Sequence, residues 1–183
     1  MPSQFGKALP FGEIMPLSDQ VVSEDRYVLI PRVLVFIISG DKVLLIKGSP
    51  EKKLWAGLYN GLGGHVECGE NFLSAASREL EEESGLTNIH LHLCGTITID
   101  LSLVKGVVIF IFQGEYNNGD LLDSAEGKLE WVHFNSVENL QVVEDLKTIL
   151  PIVRKWKPGL PPFFANYHYD QEDRLVITFS RET

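Results

Sequence analysis

Apolar residues come in β-branched runs soon after the first two dozen positions and at helical spacing further on. Residues 28–38 and 43–47 are two such runs separated by Ser39-Gly40-Asp41, which predicts a hairpin. Residues 48–64 read as loop, with Pro50, Gly57, Gly61, Gly63 and Gly64. Residues 71–84 read as a helix: Asn71 suits the N-cap, Gly85 suits the residue after the last turn, and Leu73, Ala76 and Leu80 share one face. Strands are predicted over 90–101, 107–113 and 129–134, with a polar loop at 119–127. A second helix spans 144–156, with Pro151 as a local irregularity. Residues 163–169 and 175–180 flank Asp170-Gln171-Glu172-Asp173 and predict a closing hairpin. Residues 1–24 hold three prolines and no sustained period, so they read as an irregular arm before one domain over 25–183. Strands that precede, separate and follow two helices imply an α/β or α+β class with a mixed sheet.

Composition narrows the function more than the fold. The chain has 183 residues, 25 acidic and 16 basic, for a formal charge of −9. A chain this acidic is poorly suited to gripping a nucleic acid polymer through basic patches. It suits a small phosphorylated ligand only if a cation mediates. Cys68 and Cys94 make neither a disulfide framework nor a zinc site. The most apolar run, 27–39, is interrupted by Arg32 and falls short of the ~20 residues that span a bilayer. Residues 1–16 lack an apolar signal core. The expectation is a cytoplasmic protein with no membrane partner.

The segment GGHVECGENFLSAASRELEEESGL, residues 63–86, carries the chemistry. At 100° per residue, Glu79, Glu82 and Glu83 lie at about 0°, 300° and 40° on the helix, whereas Glu81 points away at about 200°. Like charges at these spacings cost roughly 0.2–0.5 kcal/mol per pair. The helix dipole also disfavours anions in the last turns. A solvated acidic face and a divalent-cation site fit this pattern about equally. The second follows from the preference of Mg²⁺ or Mn²⁺ for converging carboxylates.

The same segment resembles the Nudix box, G-x5-E-x7-R-E-U-x-E-E-x-G-U with U aliphatic. Gly64, Glu70, Arg78, Glu79, Leu80, Glu82, Glu83, Gly85 and Leu86 fill every fixed position. The resemblance implies an α/β/α sandwich around a mixed sheet. It implies hydrolysis of a nucleoside diphosphate linked to another moiety, with Mg²⁺ or Mn²⁺ as cofactor. By the same resemblance Glu79, Glu82 and Glu83 are metal ligands and catalytic residues, with the Gly63 carbonyl as a backbone ligand. Glu70 and Arg78 form a supporting salt bridge beside Gly64 and Gly85. Glu126 corresponds to a further loop glutamate that approaches the metal or acts as base; an ordinary solvated loop acid fits it as well.

Trp55 to Gly64, WAGLYNGLGG, is similar to the approach to the box in MutT-like members that act on oxidised purine nucleoside triphosphates such as 8-oxo-dGTP. The ending, 163–183, is similar to theirs as well. Asn60 and Trp55 would then border the base, and Glu144 and Asp145 would face its edge. The aromatic that stacks on the base is replaced near Val142. For Asn60 a turn role before Gly61 is the competing reading. Glu144-Asp145 also suits a helix start. Other nucleoside diphosphate derivatives, ADP-ribose or a dinucleoside polyphosphate, are the alternative substrates. A non-catalytic ligand sensor built on the same fold is the alternative class, which a degenerate box would favour. The expected partner is a small nucleotide, and a homodimer is the assembly left open.

Overall fold

The computed structural model describes residues 26–50, 55–116, 121 and 127–180. The arm expected over 1–24 lies outside them. The elements are β1 (Val28–Ser39), β2 (Lys42–Gly48), β3 (Tyr59–Asn60), α1 (Phe72–Ser84), β4 (His92–Asp100), β5 (Lys105–Glu115), β6 (Gly127–His133), α2 (Leu146–Lys155), β7 (Phe163–Tyr169) and β8 (Leu175–Phe179). One mixed sheet runs β3-β2-β1-β5-β4-β7-β8, with β6 on β2. The mixed sheet and two helices match the expected class.

Both sheet faces are covered, and the alternation along β1 shows how. Val33, Val35 and Ile37 meet Ala75, Ala76 and Leu80 of α1. Phe36 faces the other way, into a cluster with Leu146, Ile149, Leu150 and Val153 of α2. These are the two outer layers of the sandwich. Among the described residues no helix is long and apolar enough to cross a membrane.

The turn at Gly40 joins β1 to β2 as expected, but the two strands pair only at Ile38–Val43 and Ser39–Lys42. They then diverge. β1 runs parallel to β5 from Val28–Lys105 to Ile38–Glu115, and β2 pairs antiparallel with β6. The opening between them is filled by residues 62–65. Val35 N–H donates to the Leu62 carbonyl at 2.6 Å, and Val33 N–H to the Gly64 carbonyl at 3.0 Å. Most of 48–64 is loop, yet its end is stitched into the sheet, and that stitching carries the glycines to the site.

α1 begins where Asn71 accepts from Ser74 N–H at 2.9 Å. It ends at Gly85, whose φ of 71° suits a residue without a Cβ. The predicted apolar face needs correction. Leu73 is half exposed, and Ala75 is buried in its place beside Ala76 and Leu80. The packed stripe includes Glu83, which an apolar-only reading leaves out. Phe72 stacks on Phe110 with ring centroids 3.7 Å apart. α2 starts two residues later than predicted and keeps Pro151 inside it. A 3-10 turn, Phe134–Asn139, follows β6 where no element was expected.

Candidate active site

Helix α1 presents the three glutamates at unequal depth. Glu83 is buried, and its Oε2 accepts the Gly63 N–H at 2.8 Å. The Glu79 side chain is mostly covered, and that of Glu82 is exposed. Glu81 is exposed and lies outside the face they share.

Of the glycines opposite, Gly63 is required by geometry, and Gly64 makes room for Glu79. Gly63 has φ 150°, and a Cβ there would collide with the Val33 carbonyl. A Cβ on Gly64 would collide with the Glu79 carboxylate. Strand β1, the glycine ledge and helix α1 therefore lie in direct contact.

Arg78 ties this arrangement together. Its Nε and Nη2 hold both oxygens of Glu70 at 2.7 and 3.1 Å, and Nη2 also donates to the His65 carbonyl at 3.0 Å. Nη1 donates to Glu79 at 2.9 Å and to Glu82 at 3.0 Å. Glu70, then Glu79 and Glu82, push the Arg78 pKa upward. Arg78, helped by the Glu67 N–H, holds the Glu70 carboxyl below its usual range. The Glu70–Arg78 pair is thus in place, and Arg78 also reaches Glu79 and Glu82, offsetting part of the repulsion within the acidic cluster.

Among the described residues no three His, Cys, Asp or Glu side chains form a preassembled metal cage. The donor chemistry nevertheless fits a hard divalent cation. The available groups are carboxylates and one backbone carbonyl, all oxygen. Glu82 is exposed enough to turn from Arg78 toward a cation.

A cleft of about 500 Å³ opens from Glu79 and the glycine ledge. Trp55, Asn60, Glu144 and Asp145 all line it, over a floor that includes Leu34, Ile99 and Ile109. The convergence has a backbone cause. Tyr59 pairs with Lys47 on one side and bridges Val142 on the other. Tyr59 N–H donates to the Gln141 carbonyl, and Val143 N–H to the Tyr59 carbonyl. This sets the start of α2 beside Asn60. Hollows of about 580 and 770 Å³ elsewhere on the surface hold neither the ledge nor the α1 glutamates.

Asn60 combines both readings offered for it. Its Oδ1 accepts the Gly61 N–H at 2.8 Å, a turn role, while the residue lines the cleft. That bond leaves the Nδ2 donors as its main offering to a ligand. Trp55 is half exposed with φ 60°. Burial pushes the Asp145 carboxyl upward and Glu144 adds to this, whereas the Tyr167 hydroxyl works the other way. The Tyr167 hydroxyl is itself buried without a partner in hydrogen-bond geometry, and burial followed by the Asp145 charge raises its pKa. Lys47 lies with its Nζ 5.4 Å from the Tyr59 ring centre, not in the cleft. Glu126 lies outside the described residues. Sequence reasoning missed Arg32, His65 and Tyr167 as lining residues; only Arg32, a charge inside an apolar strand, left a signal.

Residues 28–153 match the NUDIX domain. The chain belongs to that family: it is a MutT-like Nudix hydrolase, an enzyme acting on phosphoric anhydride bonds. It is 34% identical over 136 residues to the oxidized purine nucleoside triphosphate hydrolase of Danio rerio, covering 74% of this chain and 86% of that one. It is 27% identical to the Mus musculus protein of the same name, covering 81% and 92%. Among solved structures it superposes on a MutT protein from Bacillus halodurans with a TM-score of 0.70 and 26% identity, covering 85% of this chain and 100% of that one.

Proposed function

We propose that this chain hydrolyses purine nucleoside triphosphates, oxidised ones included, to the monophosphate and pyrophosphate. One observation carries the reading: a single cleft joins Glu79 of α1 and the glycine ledge to Asn60, Glu144 and Asp145. The first group suits phosphates, the second a base edge. The names of the two animal relatives support the substrate class.

Glu79, Glu82 and Glu83, with the Gly63 carbonyl, would hold Mg²⁺ or Mn²⁺. Such a cation neutralises phosphate oxygens and lowers the pKa of a bound water. The chain's own residues do the rest. A carboxylate on the shared face of α1 accepts a proton from the attacking water. The water oxygen bonds to phosphorus, the anhydride P–O bond breaks, and pyrophosphate leaves with the electron pair. Arg78 and Glu70 hold the helix against the ledge. Asn60 donates through Nδ2 to a purine acceptor. Asp145, with its pKa raised, keeps a proton more readily and so offers donor and acceptor to the base edge. The intact box opposes a non-catalytic sensor.

Asn60 supplies a test of the base-facing half. Asn60→Asp keeps an oxygen for the Gly61 N–H but removes the Nδ2 donors. We expect it to lower kcat/KM for the preferred purine several-fold, on the scale of ~0.5–1.5 kcal/mol for one hydrogen bond. Asn60→Ala should do the same with an added loss of turn stability. Pyrimidine triphosphates should be barely affected. Equal losses on both base classes would remove Asn60 from base recognition. Glu81→Gln tests the helix phase: its rate should stay near wild type. A loss equal to that of Glu82→Gln would mean that total charge, not the shared face, is what matters.

A further inference from the structure

Strand β1 carries one charge, Arg32, which the chemistry above leaves unused. The residue lines the cleft and is partly buried. Its Nε donates to His65 Nε2 at 3.2 Å. Among the described residues its Nη groups have no protein acceptor and no carboxylate partner. Arg78, in contrast, is engaged by three carboxylates.

The charge balance of the cleft makes this significant. Its acidic lining residues are Glu67, Glu79, Glu144 and Asp145, and Arg32 is the only Lys or Arg among the described lining residues. A guanidinium that shares a cleft lining with four acidic residues and bonds to a histidine instead keeps its outer donors available. The location also specifies which end of a ligand it meets. His65 follows Gly64, whose backbone lies against the Glu79 carboxylate. Arg32, which bridges His65 in the sheet, therefore sits at the glycine-ledge end of the cleft. A guanidinium fork matches the oxygens of a phosphate in pairs.

We propose that Arg32, positioned by His65, binds the phosphate chain of the nucleotide and is the protein's own counter-charge for a polyanion in an acidic cleft. This rests on the triphosphate reading above. Arg32→Ala should raise KM and lower kcat/KM about tenfold to a hundredfold, by the same factor for purine and pyrimidine triphosphates. Arg32→Lys should recover part of the loss, because charge survives and the fork does not. His65→Ala should lose less. The double variant should be no worse than Arg32→Ala, since His65 acts through the guanidinium.

Thermal melts that match wild type would confirm that the variants fold. An unchanged KM in Arg32→Ala overturns the proposal, and so does a loss confined to guanine nucleotides, whose O6 and N7 edge also accepts a guanidinium. Fully additive losses in the double variant overturn the role of His65. If wild-type protein hydrolyses no triphosphate, the substrate reading falls on its own. Calorimetric binding of inorganic tripolyphosphate with Mg²⁺ then decides: weaker binding by Arg32→Ala supports the proposal, and equal binding overturns it.

Discussion

Glu83→Gln should cut hydrolysis by at least about a hundredfold while leaving the fold intact, the scale expected for losing a charged ligand from a catalytic cation site. Glu83 is buried, and one of its oxygens is held by the Gly63 N–H at 2.8 Å. A glutamine retains an acceptor for that bond, so the ledge keeps its place. What disappears is the negative charge beside Gly63. Glu82→Gln should match it in rate for the same reason. Its effect on stability should be close to zero, because the exposed pair with Arg78 and the repulsion from its neighbours are lost together. Steady-state rates at saturating Mg²⁺ with parallel melts check both halves. Near wild-type turnover in both variants would remove the α1 glutamates from catalysis.

Arg78→Ala should reduce both stability and rate. The side chain donates to Glu70, Glu79, Glu82 and the His65 carbonyl. Removing it leaves the mostly covered Glu70 and Glu79 carboxylates without their counter-charge. A fully buried pair that loses one partner costs ~3–5 kcal/mol. Partial exposure of Arg78 brings the expected loss to about 2 kcal/mol. Activity should fall by about a hundredfold even where the protein is folded, because Glu79 and the ledge lose their shared tie. Acid sensitivity supplies an independent readout. Arg78 holds the Glu70 pKa below its unfolded value. That contribution is fully present above the usual glutamate range and is lost as pH falls through the lowered folded pKa. Arg78→Ala should therefore flatten this part of the acid unfolding curve. An unchanged acid arm in urea titrations at several pH values would contradict the pairing.

Local rules made parts of this structure legible. Asn71 and Gly85 bound α1 because capping depends on a few neighbouring residues. The turn at Gly40 was visible for the same reason. The parallel pairing of β1 with β5 was not, since no local pattern encodes a partner seventy-odd residues away. Leu73 was misplaced because the stripe that packs α1 contains a carboxylate, Glu83, which earns its buried position by bonding Gly63. In the site, the box residues were legible as a block because their spacing is helical. Asn60 and Glu144-Asp145, 84 residues apart in sequence, meet only through the backbone bonds of Tyr59 to 141–143. Arg32 stood out only as an interruption of an apolar strand; its role depends on His65, which reaches β1 because residues 62–65 fill the gap beside it.

The proposed enzyme couples the glutamate face of α1 to purine recognition through one cleft and produces a monophosphate with pyrophosphate. The most direct test is product analysis over a nucleotide panel with Mg²⁺. The panel should hold normal and oxidised purine triphosphates, pyrimidine triphosphates, ADP-ribose and a dinucleoside polyphosphate. The sequence has Val142 near where the resemblance places a stacking aromatic, so discrimination between oxidised and normal purines should be modest, on the order of the ~1 kcal/mol that stacking supplies. A purine triphosphate should be turned over fastest, with monophosphate and pyrophosphate formed in equal amounts. Faster turnover of ADP-ribose or the dinucleoside polyphosphate than of every triphosphate, or release of orthophosphate in place of pyrophosphate, would contradict it.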